Sequence, residues 1–424
     1  MITAKYVREN LDAIEKSMKK RHSEYDIGRI LELDEKWRAI LGETQKMRER
    51  RNKASLEISD LKKNKKEKEA QEIIREIADL KVKLDEGEKE QGEYETQLNK
   101  LLWNLPNTLH ESVPYGKDDT QNVLVRKSAE PKKRPDAKGH EEVALALGLL
   151  DMERAAKVAG ARFYYLKGDL VLLEQSLIRF ALDKLARKGY TPIEPPFMMR
   201  EKLYRGVTAL GDFDEVLYHV GGGEENDGLR LIATSEHPMA AMHADEVIEK
   251  GKLPIRYVGT SPCFRMEVGT HGKDTKGIFR VHHFNKVEQF IFCRQEDSWA
   301  LFDELVANQE EIIKELKIPY RLVSMCTGDI GIVAAKKYDI EAYMPAQDKY
   351  MELTSASNCT DWQSLRLDIK YDDGNERKYV HTLNATAVAT TRALVAIIEN
   401  YANPDGTITV PDALVPYMNK RKIG

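Results

Sequence analysis

The stretch that decides the fold is CFRMEVGTHGKDTKGIFRVHHFNKVE, residues 263–288. It predicts two strands, 263–267 and 279–288, joined by a loop with three glycines and two lysines. Such a hairpin can hold an anion, an aromatic base and an amine, or it can be a surface hairpin with cross-strand ion pairs. The hairpin residues alone leave both interpretations open. Because side chains alternate along a strand, one face carries Arg265 with Glu267, and the returning strand presents Arg280, His282, Phe284, Lys286 and Glu288 together.

The chain around this hairpin is mixed in character. A helix is predicted over 174–188, an extended segment over 190–196, and a last clear helix from about Thr391. Several extended segments lie between 216 and 382, and strands that follow one another through short turns favour an antiparallel sheet. The sequence therefore predicts an α+β domain over 141–424, with an antiparallel sheet flanked by helices. A linker rich in proline and glycine precedes it over 107–140.

Residues 1–106 predict a helical domain of a different kind. No proline occurs between Ile27 and Leu105. The polar run 62–68 suits a tip, and two helices of similar length on either side of it make an antiparallel coiled-coil hairpin over about 27–105. At a rise of about 1.5 Å per residue, each helix is roughly 50 Å long. The two predicted seams alternate steps of three and four, and are Ile30, Leu33, Trp37, Ile40, Thr44, Met47, Arg51, Ala54, Ile58, Leu61 and Ile73, Ile77, Leu80, Leu84, Gly87, Gln91, Tyr94, Leu98, Leu101, Leu105.

The charge of this arm has two interpretations. A charged coiled coil is most often an oligomerisation element with solvated faces. Residues 46–69, however, carry ten Lys or Arg against five Asp or Glu, while the whole chain has a formal net charge of -4. Lysine and arginine on such a surface suit a phosphate backbone, which they bind with release of counterions.

Composition limits the remaining classes of protein. The four cysteines, Cys263, Cys293, Cys326 and Cys359, are not spaced as metal ligands and cannot form a dense disulfide framework. The N-terminus lacks the apolar stretch of a signal peptide, and no apolar run approaches the length of a membrane span. We expect a cytoplasmic protein without membrane attachment.

Six segments, in order along the chain, resemble the class II aminoacyl-tRNA synthetases in their seryl form. The hairpin at 263–288 is similar to their motif 2. The forms found here, such as Thr386 and a motif 3 without glycines, resemble archaeal members more than bacterial ones. The other five likenesses are Ala155–Gly168 to the entry of the catalytic domain, Tyr190–Phe197 to motif 1 with a dimer-interface proline at Pro195 or Pro196, Thr234-Ser235-Glu236 to the serine segment, Glu352-Leu353-Thr354-Ser355 to the metal-binding strand, and Leu383–Arg392 to motif 3.

The resemblance implies roles in binding ATP. Arg265 corresponds to the arginine that binds the α-phosphate and the substrate carboxylate, for which a planar, permanently charged fork is suited. Glu267 corresponds to the contact with the adenine amino group, and Phe284 and Arg392 to the two faces on which adenine stacks. For a lone strand phenylalanine, core packing is the alternative. The implied ATP-binding set is Arg265, Met266, Glu267, Phe284, Glu352, Leu353, Thr354, Ser355 and Arg392.

The resemblance also implies a serine pocket and a metal. Glu352 and Ser355 match ligands of Mg²⁺, an ion that prefers hard oxygens and binds ATP phosphates. The implied serine-binding set is Thr234, Ser235, Glu236, Arg265, Glu288 and Thr386. A carboxylate and hydroxyls fit a substrate with an ammonium and a small hydroxyl group. The catalytic residues implied are Arg265, Arg392 and Glu288, which act by positioning and charge neutralisation.

The activity implied is ATP-dependent attachment of L-serine to serine tRNA through a seryl-adenylate, by a homodimer. The family's arm reads the long variable arm of serine tRNA, and its members commonly also serylate selenocysteine tRNA. The alternatives are an inactive synthetase-like paralogue that binds tRNA or a protein, and a coiled-coil scaffold with an inert head. The predicted tRNA contacts are Lys46, Arg48, Arg50, Arg51 and Lys53 of the arm with Lys273 and Lys276 of the motif 2 loop.

Overall fold

The computed structural model describes residues 3–23, 25–131, 133–208, 214–221, 228–267 and 276–424. No helix within these ranges is long and apolar enough to cross a membrane. The α-helices in them are α1 Ala4–Glu9, α2 Leu11–Lys20, α3 Ile27–Lys63, α4 Glu67–Asn104, α5 His140–Ala146, α6 Met152–Ala159, α7 Asp169–Arg187, α8 Glu201–Val207, α9 Glu236–Ala241, α10 Ser298–Glu315, α11 Trp362–Leu367, α12 Thr390–Tyr401 and α13 Val415–Met418.

The strands of the same ranges form one large sheet and several small ones. They are β1 Val123–Lys127, β2 Leu150–Asp151, β3 Tyr165–Leu166, β4 Thr191–Ile193, β5 Met198–Arg200, β6 Leu229–Leu231, β7 Val247–Glu249, β8 Ile255–Phe264, β9 His283–Cys293, β10 Tyr320–Ser324, β11 Lys336–Met344, β12 Lys349–Asn358, β13 Lys370–Asp372, β14 Arg377–Tyr379, β15 His381–Ala389, β16 Ile408–Thr409 and β17 Lys422–Ile423. The large sheet has the order β1-β10-β11-β12-β15-β9-β8-β4. Its neighbours are antiparallel, except that β4 pairs parallel with β8. The predicted antiparallel sheet flanked by helices is confirmed.

Three helices pack against the large sheet through one apolar cluster. Leu177 of α7, Leu305 of α10 and Ile397 of α12 belong to this cluster together with Ile291 of β9, and all four are fully buried. Burying a side chain of this size contributes about 1.5–3 kcal/mol relative to exposing it. The apolar faces of these helices thus hold the central strands, which carry the site described below.

A buried carboxylate fixes the start of α12. Glu174 on α7 is 7% exposed. It accepts hydrogen bonds from Asn285 Nδ2 of β9 at 3.1 Å and from Thr390 Oγ1, at the start of α12, at 2.7 Å. A buried carboxylate needs such donors, because it has lost its hydration. This contact sets where α12 leaves the sheet, and with it the position of Arg392 in the first turn.

The hairpin of β8 and β9 is shorter at its loop end than the sequence predicted. β8 ends at Phe264 instead of residue 267, and β9 begins at His283 instead of residue 279. Glu267 has a φ of 49° and Gly277 a φ of 64°, which is left-handed backbone incompatible with a strand. Arg280 therefore lies outside the strand face on which alternation placed it.

The N-terminal arm is the predicted antiparallel helical hairpin. α3 has 37 residues and α4 has 38, and they belong to a unit that ends at Leu105. The helices approach closely at Gly87, where an added Cβ would lie 2.9 Å from Thr44 Cγ2. Nineteen of the twenty predicted seam positions are buried or half-buried; Arg51 is exposed, so its assignment to the seam was wrong. A long charged side chain at this position gains more from water than from an apolar seam.

Candidate active site

A cavity of about 350 Å³ lies beside the hairpin of β8 and β9. Six of the predicted site residues line it, from segments far apart in the chain: Thr234, Glu236, Arg265, Glu288, Ser355 and Thr386. The lining also includes Lys286, His237, Lys337 and Asn384, to which the sequence gave no role. Since the lining holds two glutamates, two lysines and an arginine, the cavity suits a small zwitterionic ligand.

The carboxylate of Glu288 is held from two sides. Its Oε2 accepts a hydrogen bond from Thr386 Oγ1 at 2.9 Å and lies 2.7 Å from Lys286 Nζ. The side chains of Glu288 and Lys286 are 2% and 7% exposed. Thr386 on β15 stands opposite Glu288 in the strand register, and Lys286 lies two residues earlier on the same face of β9. Alternation placed Lys286 on this face, but its pairing with Glu288 and the burial of both side chains are visible only in the folded sheet.

Glu236, the first residue of α9, supplies a second carboxylate, and the residue is half-buried. Its Oε1 accepts hydrogen bonds from Gln363 Nε2 at 3.0 Å and from Asn384 Nδ2 at 3.1 Å. Burial, together with the negative charge of Glu288, raises the pKa of Glu236 to about 7. Thr234 Oγ1 accepts the Glu236 backbone N–H at 3.1 Å. Ser235 is fully buried but lies outside the cavity lining, so its predicted contact with serine does not fit its position.

Arg265 follows β8 directly and borders two cavities. Its backbone N–H donates to His282 O at 2.8 Å, and its Nε donates to Ala233 O at 3.3 Å. Its Cζ lies 5.2 Å from the centroid of the Phe284 ring, within the range of a cation–π contact. Besides the cavity of about 350 Å³, Arg265 lines a smaller one of about 20 Å³. One guanidinium therefore reaches both spaces.

The smaller cavity brings together most of the predicted adenine-binding residues. Its lining consists of Arg265, Glu267, Phe279, Arg280, Val281, Phe284, Thr391 and Arg392. The Arg392 guanidinium lies over Phe279, with 5.1 Å from Cζ to the ring centroid, and not over Phe284. Met266 is outside the lining and 38% exposed, and its backbone N–H donates to Val216 O at 2.8 Å. This cavity has room for about one water molecule, so a purine can bind there only if a side chain moves.

A bulge in β12 brings Glu352 and Ser355 to one face of the sheet. Residues three apart on a regular strand point to opposite faces. Here Glu352 pairs with Glu341 and Thr354 with Ile340, so the register skips Leu353 and the alternation is reset. Leu353 packs in the apolar core and Thr354 is 2% exposed. Their side chains do not line either cavity, which leaves only their backbone for the predicted contact with ATP.

The oxygens of Glu352 and Ser355 suit a hard cation. The adjacent Arg392, whose Nη1 lies 3.0 Å from Glu352 Oε1, lowers the pKa of Glu352 to about 2. The carboxylate is therefore ionised at neutral pH. Among the described residues no group of three or more His, Cys, Asp or Glu could hold a metal ion by itself. Two protein oxygens fit Mg²⁺, because this ion commonly completes its coordination with substrate phosphates and water.

The predicted tRNA contacts on the arm differ in their surroundings. Lys46, Arg51 and Lys53 are exposed on α3. Arg48 lies 2.9 Å from Glu88 and Arg50 lies 2.6 Å from Glu76, both across the hairpin. Lys276 is exposed at the end of the motif 2 loop, and Lys273 lies outside the described residues. Of the five predicted arm cations, Lys46, Arg51 and Lys53 thus stand apart from these two ion pairs and are exposed.

Two family models match the chain. One is described as the seryl-tRNA synthetase N-terminal domain and matches residues 1–109. The other is described as the tRNA synthetase class II core domain (G, H, P, S and T) and matches residues 218–401. The first model covers the arm, and the second covers nearly all residues that line the two cavities.

Known proteins match over the full length. The serine–tRNA ligase of Thermococcus sibiricus is 48% identical over 451 residues, which cover 100% of this chain and 97% of that protein. The serine–tRNA ligase of Methanospirillum hungatei is 48% identical over 429 residues, with 100% of both chains covered. The crystal structure of seryl-tRNA synthetase from Pyrococcus horikoshii complexed with ATP has a TM-score of 0.90 at 44% identity and covers 100% of this chain and 99% of that chain.

Proposed function

The chain belongs to the seryl-tRNA synthetase family, and from this premise we propose that it joins L-serine to the 3′-terminal ribose of serine tRNA in two steps. The serine carboxylate attacks the α-phosphorus of ATP, which gives seryl-adenylate and releases pyrophosphate. The ribose hydroxyl then attacks the adenylate carbonyl and releases AMP. The observation that carries this proposal is the position of Arg265, which borders both the polar cavity and the cavity with Phe284 and Arg392.

Serine occupies the cavity of about 350 Å³ in this proposal. The ammonium group pairs with the carboxylate of Glu288, which Lys286 and Thr386 hold in place. The serine hydroxyl meets the polar groups of the same lining. Alanine and glycine leave those groups unpaired, which lowers their affinity more than the loss of a methylene does.

ATP lies beside Arg265 with its adenine near Phe284. The Arg265 guanidinium stands over the Phe284 ring in the free chain, in the place where a base stacks. We infer that ATP displaces it toward the α-phosphate, where a charged planar fork binds best. Charge on the pentavalent phosphorus is then neutralised by a group already oriented, which lowers the barrier without further reorganisation.

Glu352 and Ser355 are proposed to hold Mg²⁺ when ATP is bound. The ion supplies neutralisation of phosphate charge. Arg392 Nη1 lies 3.0 Å from Glu352 Oε1, so an ion held by this carboxylate would compete with Arg392 for it. Arg392 also lines the cavity with Phe284, where its guanidinium would meet the nucleotide.

The arm is proposed to bind the long variable arm of serine tRNA, and of selenocysteine tRNA as a second substrate. Lys46, Arg51 and Lys53 are exposed within a segment that is basic overall. This balance favours a phosphate backbone over an oligomerisation surface. Homodimerisation is assigned instead to the motif 1 region around Pro195, as the family resemblance implies.

Serine-dependent exchange of pyrophosphate into ATP tests the reaction. The purified chain is given serine, threonine, alanine or cysteine with Mg²⁺ and labelled pyrophosphate. We expect exchange with serine well above the other three amino acids. No exchange with serine, from a chain that still binds tRNA, would favour the inactive paralogue instead.

A further inference from the structure

A buried histidine–glutamate pair lies outside the residues used by the proposed reaction. His140 begins α5 and Glu399 lies near the end of α12, with side chains 7% and 1% exposed. His140 Nδ1 is 3.1 Å from Glu399 Oε1. His140 Nε2 accepts a hydrogen bond from the backbone N–H of Ile278 at 3.2 Å. Because Nε2 is an acceptor, Nδ1 is the nitrogen that donates to the carboxylate.

The other carboxylate oxygen reaches a further segment. Glu399 Oε2 accepts the backbone N–H of Ala346 at 3.2 Å. Ala346 lies in the turn between β11 and β12, and β12 carries Glu352. The two side chains therefore connect four segments: the start of α5, the residues that follow the motif 2 loop, the turn before β12, and α12 with Arg392.

The residue that follows Ile278 belongs to the proposed ATP site. Phe279 follows it directly and stands under the Arg392 guanidinium, 5.1 Å from Cζ to the ring centroid. Gly277 precedes it with a φ of 64°, and a Cβ added there would overlap the His140 ring. The histidine thus meets the returning end of the motif 2 loop closely and accepts a hydrogen bond from the backbone amide of Ile278.

We propose that His140 and Glu399 are positioning residues for nucleotide binding. They fix residues 277–279 and so hold Phe279 and Arg392 against each other. The inference rests on the proposed function, since it takes the cavity with Phe279 as the ATP site. The lining of the serine cavity contains none of residues 140, 277–279, 346 or 399. Their loss therefore changes nucleotide binding and leaves serine binding nearly unchanged.

Three variants of the full-length chain test this role. His140→Leu keeps the volume and leaves the buried Ile278 amide without an acceptor, which we expect to raise the KM for ATP about tenfold. His140→Gln places Oε1 near the former Nε2 and is expected to stay within about threefold of the parent. Glu399→Gln removes one strong acceptor and is expected to raise the same KM a few-fold. In all three the KM for serine stays within about twofold, because the serine cavity is not touched.

His243→Leu is the matched control. His243 Nδ1 is 2.8 Å from Glu246 Oε2 and its Nε2 is 3.1 Å from the Tyr257 hydroxyl. This contact lies toward the opposite end of β8 from Arg265. The variant also loses a histidine–glutamate pair, but it is expected to keep the KM for ATP of the parent.

The readouts are both KM values in the exchange assay, ATP affinity by equilibrium dialysis without turnover, and the unfolding temperature. An unchanged KM for ATP in His140→Leu overturns the proposal. So does an equal rise of both KM values, which is the mark of a general structural defect. If His140→Leu does not fold, Glu399→Gln decides by the same two criteria. A parent chain without serine-dependent exchange rejects the proposed function instead.

Discussion

In the proposed function, the charge of Glu288 is the one on which serine binding depends most. Its carboxylate is 2% exposed and already has one lysine and one hydroxyl as partners. Glu288→Gln removes the charge that pairs with the serine ammonium, and we expect kcat/KM for serine to fall about 100-fold, since a hydrogen bond to a charged group contributes roughly 1.5–3 kcal/mol. The measurement is pyrophosphate exchange over a range of serine concentrations at saturating ATP.

Thr386→Ser is the control for that substitution. Serine keeps the hydroxyl that donates to Glu288 at 2.9 Å, so the carboxylate stays oriented. We expect its kcat/KM to remain within about threefold of the parent. Equal losses in the two variants would contradict an ammonium contact, because they would trace the effect to packing around Glu288.

Glu236 predicts a pH dependence of stability. Burial and the charge of Glu288 raise its pKa from 4.5 to about 7. A carboxyl group whose pKa is higher in the folded than in the unfolded chain contributes fully to the free energy of unfolding at a pH below its unfolded pKa. That contribution is lost as the pH rises through the folded pKa. Glu236→Gln keeps an oxygen that can accept from Asn384 and Gln363, but it carries no charge at any pH. As the pH rises from about 4.5 to 7.5, its free energy of unfolding should therefore increase relative to that of the parent, by at most about 3 kcal/mol.

Urea unfolding of both proteins at about pH 5 and about pH 8, without substrates, measures this difference. Burial also raises the pKa of Asp339 to about 7. Because both proteins contain Asp339, its contribution to the pH dependence cancels when their free energies of unfolding are compared. A difference between the two proteins that is the same at both pH values would refute the assignment to Glu236.

At the scale of single residues, the family resemblance predicted much of the cavity lining but not how its side chains pair. Glu288 and Thr386 were predicted from the family resemblance, and both line the polar cavity. Lys286 was placed on the correct face without a role, because no local pattern says that its partner is buried. Ser235 was placed in the pocket, but in the structure its side chain is turned into the core. The direction of a side chain at a strand-to-helix junction, such as that of Ser235, depends on tertiary packing.

At the scale of elements, the sequence predicted that strands are present but not where a strand is interrupted by a bulge. The bulge at Leu353 decides that Glu352 and Ser355 share a face, yet it appears only in the pairing of β12 with β11, and the residue pattern of β12 does not show it. β1 was not predicted within the linker, since Val123–Lys127 is exposed along its length and shows no apolar alternation. The helices of the arm were predicted well, because their periodicity is local.

The arm surface carries the prediction at this scale. Replacing Lys46, Arg51 and Lys53 with alanine is expected to raise the KM for tRNA about tenfold and to lower the salt dependence of tRNA binding, with the logarithmic slope smaller by about three. Pyrophosphate exchange should stay unchanged. Charging assays at several salt concentrations provide the measurement.

The matched control removes the same charge from the other helix. Lys81, Lys83 and Lys89 are exposed on α4. Their triple alanine variant is expected to change the KM for tRNA by less than about threefold. If both triple variants lose tRNA binding equally, the loss is explained by the net charge of the arm, and a specific role of α3 in tRNA recognition is excluded.

At the scale of the whole chain, the sheet order explains why the site needed a structure. β12, β15, β9 and β8 follow one another across the sheet, although residues 294–380 separate the neighbours β9 and β15 in sequence. Non-consecutive neighbours of this kind bring Ser355, Thr386, Glu288 and Arg265 to one cavity. The sequence predicted an antiparallel sheet, but strand order follows from packing of α7, α10 and α12, on which a local pattern carries no information.

The same arrangement separates the two halves of the proposed function. Every residue that lines either cavity lies between Val207 and Arg392, and none lies in the arm. Deleting residues 30–103 and closing the gap with a short Gly/Ser linker should therefore leave serine-dependent exchange within about threefold of the parent. Charging of serine tRNA should fall more than about 100-fold, because the basic surface of α3 is gone. Normal charging by the shortened chain would disprove tRNA reading by the arm, whereas loss of exchange together with a lowered unfolding temperature would show that the arm stabilises the catalytic unit.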